Sequence, residues 1–423
     1  MKRYLTGIDW VINALDYSSR KQTGVGNISQ IILELDGLLN EHEINKQLQD
    51  CLKNNPVLCG YPARALNLCP YWKISRKVKT PTLNTHYFKE DSSFDDVLSF
   101  LGRKMSVPFK DKNEHLVFNL IFQKDKSFLG MIFDHKLLEA RGAEAFLNTL
   151  GNKLALVTKK SLEEPSHLNN WKDKFAAGKF VNRTFLNLTK GRARSFIKNK
   201  AHVNSEFKTV FFTPEESAKI IDNSYKTAGY LMHMPYILAK SILILHSLFE
   251  ERKEPIADYL IPVSIDKRPA ELVRKDIFFN HLSFFIFRIN PKEANDFPVL
   301  LASIKEQMYN QVKSGLPEAF SKASFLMRIA PLPLVYLFLR LMTKGEIASF
   351  SFSFVGESSY ESGKFLNTQV KNIVHLPRVP YPPGIGIFFN QYQGKLNATL
   401  SYIKGIISES EINSILGALR RLE

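Results

Sequence analysis

Two apolar runs, Leu116–Phe122 and Phe128–Asp134, stand on either side of the polar segment Gln123–Ser127. A run that stays apolar rather than alternating is what a strand buried on both faces looks like. The pair therefore reads as a hairpin with a five-residue loop, its second strand inside the core. The spacing turns helical from about Glu139 to Leu150, and Gly151 ends it. His135 thus stands where a buried strand becomes a helix. A strand buried on both faces needs cover on both, which confines the chain to layers of sheet and helix.

The remaining pattern agrees. Ile31, Leu33 and Leu35 alternate as a strand, and Ile44, Leu48 and Leu52 follow at helical spacing until Asn54-Asn55-Pro56 stops them. Thr213-Pro214-Glu215-Glu216 has the form of a helix start, with Thr at the cap and Pro in the first turn. Beyond it lie an apolar helix (Pro235–Phe249), strands at Tyr259–Ile265 and Phe278–Ile289, and an apolar helical stretch at Phe325–Met342. Strands at Ser349–Val355, Ile385–Gln391 and Leu396–Ile403 follow, and a closing helix starts near Ser408. Hydrophobic residues make up 44 % of 423, enough for a large core without metals or disulfides. The fold class is α+β, each half a sheet with helices packed on it. The expected division is an N-terminal unit over 1–180, a basic crossover over 181–210 and a C-terminal unit over 211–423.

Lys and Arg outnumber Asp and Glu by 57 to 41, a net charge of +16, which points to anionic company. Half of that excess lies between Lys159 and Lys208, with twelve basic side chains against four acidic. Nucleic acid is the partner that charge alone suggests. Against it, the aromatic residues interleave with aliphatic ones rather than with Lys and Arg, and no recognition motif is present. Three cysteines without a CxxC pair read as reduced thiols in a cytoplasmic protein. The longest apolar stretch, Ile329–Leu339, is interrupted by Pro331 and Pro333 and falls short of the ~20 residues of a membrane span. No His or Cys residues stand at metal-ligand spacing beside a third, so no metal is expected.

A general base needs a histidine at the end of a rigid element, with one ring nitrogen held and the other facing a cavity. The His-x-x-x-acid spacing occurs four times, at His86/Glu90, His135/Glu139, His202/Glu206 and His246/Glu250, so context must decide among them. His246 lies on a helix saturated with Leu and Ile, where a buried, satisfied histidine is expected. His202 falls in the basic crossover and His86 in a polar loop. Only His135 sits between a buried strand and a helix start.

The segment Asp134-His135-Lys-Leu-Leu-Glu139-Ala140 resembles the HHxxxDG motif of the coenzyme A-dependent acyltransferase superfamily. That group takes in chloramphenicol acetyltransferase, nonribosomal peptide condensation domains and the wax ester synthase/diacylglycerol acyltransferases. Further segments are similar in the same order. Lys53-Asn-Asn-Pro56 resembles the family's "HP" segment, Ile261 to Pro269 its "PVxxRxR" strand, and Phe279-Asn280-His-Leu-Ser283 its "GNxxS" segment. Phe350 to Gly356 resembles its "SNxG" strand. Three positions depart from the motif: Asp134 replaces the first histidine, Glu139 the aspartate and Ala140 the glycine.

The resemblance implies two chloramphenicol-acetyltransferase-like subdomains enclosing a central tunnel. It implies His135 as the general base that takes a proton from a hydroxyl or amine acceptor attacking a thioester. Glu139 and Arg268 are expected to form a structural ion pair. Ser351 and Ser353 are candidates for an oxyanion donor, and Asp134, Asn280 and Ser283 for the tunnel. The co-substrate would be acyl-coenzyme A or an acyl-phosphopantetheine, not a tightly bound cofactor, and an acidic acyl carrier protein is a candidate partner. Lys190, Arg192, Arg194, Arg274 and Lys275 are the cations expected to meet such anions. The Phe-rich interior suits a medium to long acyl chain, and Arg328 and Arg340 bracket a segment suited to an anionic membrane surface. The alternative is a decayed member of the fold acting as a binding or assembly module.

Overall fold

The computed structural model describes residues 2–75, 79–153, 170–188, 193, 204–253, 257–343, 345 and 347–422. The chain opens with β1 (Lys2–Tyr4) and α1 (Gly7–Thr23), whose start is fixed by reciprocal side-chain-to-backbone bonds between Thr6 and Asp9. β2 (Ile28–Asp36), α2 (Glu41–Asn54), β3 (Gly60–Arg64), β4 (Pro70–Ile74) and β5 (Thr82–Tyr87) follow. Next come α3 (Phe94–Lys104), β6 (Leu116–Gln123), β7 (Lys126–Asp134), α4 (Ala140–Gly151) and α5 (Trp171–Leu188).

β8 (Ser205–Phe211) leads into α6 (Pro214–Ala228), which Thr213 caps with Glu216 reaching back. α7 (His233–Glu251), β9 (Tyr259–Asp266), α8 (Ala270–Val273) and β10 (Leu282–Ile289) come next. Three helices follow, α9 (Phe297–Lys313), α10 (Leu316–Met327) and α11 (Leu332–Met342). The chain ends with β11 (Ser351–Glu357), β12 (Lys364–Phe365), β13 (Thr368–Pro377), β14 (Ile385–Tyr392), β15 (Lys395–Ile403) and α12 (Glu409–Leu419).

Two six-stranded mixed sheets form the frame. The first has the order β12-β13-β2-β7-β6-β5 and the second β10-β9-β11-β14-β15-β8, with β1, β4 and β3 in a small third sheet. β7 is buried on both faces, as its unbroken apolar run requires. On one side Leu129, Met131 and Phe133 meet Leu48 of α2 and Phe146 of α4. On the other, Phe128 and Ile132 meet Val97 and Leu101 of α3 and Phe207 of β8. The second sheet packs Val263, Phe287, Phe352 and Ile387 against Ile242 and Phe249 of α7 and Ile412 and Leu419 of α12. No single helix among the described residues is long and apolar enough to cross a membrane.

Four expectations are corrected. The β6–β7 hairpin turns on Lys124-Asp125 alone, because Gln123 pairs with Lys126 and the Gln123 amide is used by the carbonyls of Lys89, Glu90 and Ser92. The Phe325–Met342 stretch is two helices, since Pro331 cannot continue α10 and instead precedes α11. β10 begins at Leu282, and Phe278–His281 is a loop. The boundary expected after residue 180 falls inside α5, and β12–β13, in the C-terminal half of the sequence, hydrogen-bond into the first sheet through β2.

Candidate functional site

β7 ends at Asp134 and hands the chain to a five-residue loop, His135–Glu139, before α4 begins. The His135 amide still bonds the carbonyl of Asn27 at 3.0 Å, so the histidine is the last residue held by the sheet. Its carbonyl accepts from the Asn280 side chain at 2.9 Å, and its ring meets Phe133 edge-on at 5.3 Å. Nε2 lies 2.8 Å from the hydroxyl of Ser29, near the start of β2, and the ring also bonds the Leu138 backbone. Burial pulls the imidazole down to about 4, against the opposing pull of Asp134 and of the Leu138 bond. At neutral pH the ring is therefore uncharged and carries a free lone pair.

The root of the loop is a buried charge network. Asp134 accepts from His115 Nδ1 at 3.0 Å and from the Lys136 ammonium at 2.9 Å. Lys136 also reaches Asp16 of α1 at 2.8 Å, and Asp16 holds Arg20 at 2.9 Å. The second His115 nitrogen faces the Gly60 carbonyl at 2.7 Å. Burial alone would raise the Asp134 carboxyl, but Lys136 and His115 outweigh it and hold it below the usual carboxylate range. Asp134 is thus committed to the network. It is not free to line a tunnel.

The far end of the loop is tied to the second half. Glu139 forms an ion pair with Arg268, which also makes two bonds to Asp266, at 2.8 and 3.1 Å. All three carboxylate and guanidinium groups are buried or nearly so. Glu139 precedes the first turn of α4 without capping it, so its longer side chain is free to reach Arg268. Ala140, where the motif has glycine, is accommodated, and the position without room for a side chain is two residues later: a Cβ on Gly142 would stand 2.4 Å from the Ile277 carbonyl oxygen.

Asn280 donates to the His135 carbonyl and, through its backbone, to Asp9 at 2.9 Å. Before it, Phe279 occupies the position of the motif's glycine with φ 73°, its ring between Trp72 and the Arg3 guanidinium. Ser283 is spent on the Pro317 carbonyl at 2.7 Å, anchoring α10 rather than facing His135. Ser351 and Ser353 sit half-buried on β11, in register with Gly386 and Phe388 of β14. That face of the second sheet also carries Asn390 and Asn397, which both donate to the Ile373 carbonyl of β13, so it is the face turned to the first sheet. Arg274 pairs with Glu361 at the surface and Lys275 is exposed, whereas Lys190, Arg192 and Arg194 lie outside the described residues. Among the described residues no group of His, Cys, Asp and Glu is placed to hold a metal ion.

The sequence reading missed Ser29, His115, Lys136 and Asp16. The available signals were weak: a polar Ser29-Gln30 pair just before the aliphatic run Ile31–Leu33, and an acid inside the apolar spacing of α1. A separate apolar cavity of about 580 Å³ opens between α1, α5, α10 and α11, lined by Ile8, Phe185, Phe284, Phe320 and Leu339 among others. Neither His135 nor Ser29 lines it.

No family profile matches the chain, and no curated protein matches it. Solved structures do. The trichothecene 15-O-acetyltransferase of Fusarium sporotrichioides superposes with a TM-score of 0.68 at 12 % identity, covering 100 % of this chain and 94 % of that one. The first condensation domain of the CDA synthetase gives 0.70 at 11 % identity, covering 100 % and 96 %. The epimerization domain from the third module of tyrocidine synthetase B gives 0.64 at 13 %, covering 100 % and 96 %. The chain therefore has the α+β fold of these acetyltransferase and condensation domains, the fold the motif order implies.

Proposed function

We propose that this protein is an acyltransferase that moves an acyl group from a coenzyme A or carrier-protein thioester to a hydroxyl or amine, with His135 as general base. The observation that carries the reading is the state of His135: an imidazole kept neutral by burial, at the end of a core strand, in a loop pinned at both ends. A neutral lone pair on a rigid support is what proton removal from an attacking nucleophile requires. The oxyanion of the tetrahedral intermediate is assigned to Ser351 or Ser353, whose side of the second sheet faces the first. Asn280, Glu139 and Arg268 hold the loop and do not touch the reacting atoms.

A medium to long acyl chain is supported by the 580 Å³ apolar cavity. The exposed ridge of Leu334, Leu337, Phe338 and Leu341 on α11, with Arg340 beside it, supports contact with an anionic membrane surface. The +16 charge supports an acidic carrier protein as donor partner, and the three free thiols a reducing, cytoplasmic setting.

The test is thiol release from acyl-coenzyme A donors running from acetyl to palmitoyl, with mixed alcohol and amine acceptors, beside His135→Ala. Release that varies with chain length and disappears in the variant supports the reading. Silence with every coenzyme A and carrier-bound donor leaves the decayed binding module as the account.

A further inference from the structure

Three arginines are buried among the described residues, and two of them have the partners a guanidinium needs. Arg268 faces Glu139 and Asp266, and Arg378 donates to the Ser205 hydroxyl and to the carbonyls of Val25 and Gly26. Arg328, directly after α10, is 0 % exposed, and none of its three guanidinium nitrogens has a hydrogen-bond partner. Asp9, the acid whose charge reaches it, is already spent: one oxygen takes the Thr6 amide and hydroxyl, the other the Asn280 amide. Burial pulls the Arg328 guanidinium down, and burial together with Arg328 pulls the Lys174 ammonium down. A buried cation without a bonded anion is costly, and such a group calls for a partner from outside the chain.

The 580 Å³ apolar cavity begins beside this cation. Met327 and Ala330, on either side of Arg328 in the chain, line it, as does Ser324 one helical turn earlier. On the opposing helix α5, Phe175 lines it, and the adjacent Lys174 holds its ammonium 5.1 Å from the Phe325 ring. The Arg328 guanidinium lies 5.2 Å from the same ring, and Arg64 fixes the backbone there through the carbonyls of Arg328 and Ile329. Two cations thus stand at the Phe175–Ala330 end of the cavity. Phe185 and Phe320, edge-on at 5.4 Å, stand at the other, and no acidic side chain lines the space between. Its volume falls in the ~300–1,000 Å³ range of small-molecule sites. α5 buries none of its residues fully and is held at its far end by Arg288 on the Leu188 carbonyl, so a ligand reaches Arg328 by outward movement of the first turn of α5.

We propose that this cavity binds a long-chain carboxylate, a free fatty acid, with its chain among Phe185, Phe284, Phe320 and Leu339 and its head on Arg328 beside Lys174. The planar guanidinium can donate two parallel bonds to a carboxylate, which supplies the charge that Asp9 does not. An alcohol or an ester of the same length fills the cavity equally well but leaves Arg328 unpaired. The site is separate from His135, which does not line the cavity, and no covalent bond is made or broken in it.

The experiment is calorimetric titration of the full chain with palmitate, hexadecanol and hexadecyl phosphate, each below its micelle-forming concentration. The proposal expects one palmitate per chain, bound at least ~10-fold more tightly than hexadecanol. Arg328→Met removes the charge, and because the guanidinium has no partner to lose, the variant is expected to be at least as stable in urea as wild type and to bind palmitate no better than hexadecanol. Ala323→Phe leaves Arg328 in place and fills the cavity from α10, so its expected loss of palmitate binding does not depend on how Arg328→Met folds. Palmitate bound no more tightly than hexadecanol overturns the proposal, and so does wild-type affinity in either variant. A marked loss of stability in Arg328→Met overturns it as well, since the fold then already pairs that charge. Tighter binding of hexadecyl phosphate than of palmitate overturns the carboxylate assignment. Thiol release is not read in this test, so the acyl-transfer reading stands or falls separately.

Discussion

Two buried ionic clusters flank His135, and they differ in what they join. The cluster at the root of the loop, His115, Asp134, Lys136, Asp16 and Arg20, belongs wholly to the first part of the chain. Each charge in it has at least one opposite partner, so loss of one member leaves the others partly compensated. The cluster at the far end, Glu139, Arg268 and Asp266, crosses between the first and second halves: the Arg268 guanidinium faces both carboxylates, and Arg141 adds a longer contact to Asp266 at 3.9 Å. The first cluster sets where the loop leaves the sheet. The second sets where the two halves meet around it. Redundancy makes the first tolerant, whereas Glu139 has Arg268 as its one cation among the described residues, which makes the second the weak point.

The largest expected effect follows from that difference. Arg268→Ala leaves Glu139 buried without its cation and Asp266 with Arg141 at 3.9 Å alone, and should cost about 3–5 kcal/mol, along with folded yield and activity. Urea unfolding checks it, and a stability equal to wild type would mean that the second cluster is no lock. Lys136→Met should cost less, about 1.5–3 kcal/mol, because His115 still serves Asp134 and Arg20 still serves Asp16. If Lys136→Met proves the more damaging of the two, the ranking of the clusters is inverted.

The third effect lies in pH. The His135 ring titrates near 4 in the fold and near ~6.5 when unfolded, so between these values the unfolded chain binds the extra proton. Stability should therefore fall as pH drops from about 6.5 to about 4, and His135→Gln should flatten that arm. Asp134, with its folded value below the usual range, keeps its contribution until pH falls below ~4, so the two groups separate in a stability profile. The smallest effect is at Phe279. Replacing it with Gly relieves a left-handed backbone worth about 1–3 kcal/mol but removes a ring packed against Trp72 and Arg3, worth about 3–5. A net loss of roughly 2 kcal/mol in a thermal melt is expected. A gain in stability would show that the ring contributes little to seating the loop.

Much of this frame was legible in the residues. β2, β6, β7, β14 and β15 follow from apolar alternation or unbroken runs, and α6 from its Thr-Pro-Glu-Glu start. The order of motif-like segments anticipated the α+β fold, and the sequence separation of Glu139 and Arg268 did not hide that they meet. What escaped is physical in origin. α1 was obscured because Asp9 and Asp16 break its apolar pattern, yet both are buried, one as a cap that also receives Asn280 and the other in the Lys136 network. β13 was not recognised because its partner is β2, more than three hundred residues earlier, and no local pattern announces such a pairing. Ser29 and His115 were missed for the same reason: each is ordinary in its own segment and acquires a role only across strands.

The central claim is that His135 works as a neutral base in a loop held from both sides, and the rate of thiol release as a function of pH tests it most directly. With wild-type protein and octanoyl-coenzyme A, the account predicts a rate that holds as pH falls from about 8 and declines only near 4, with no release by His135→Ala at any pH. An acid limb near ~6.5, or release that survives in His135→Ala, would contradict it.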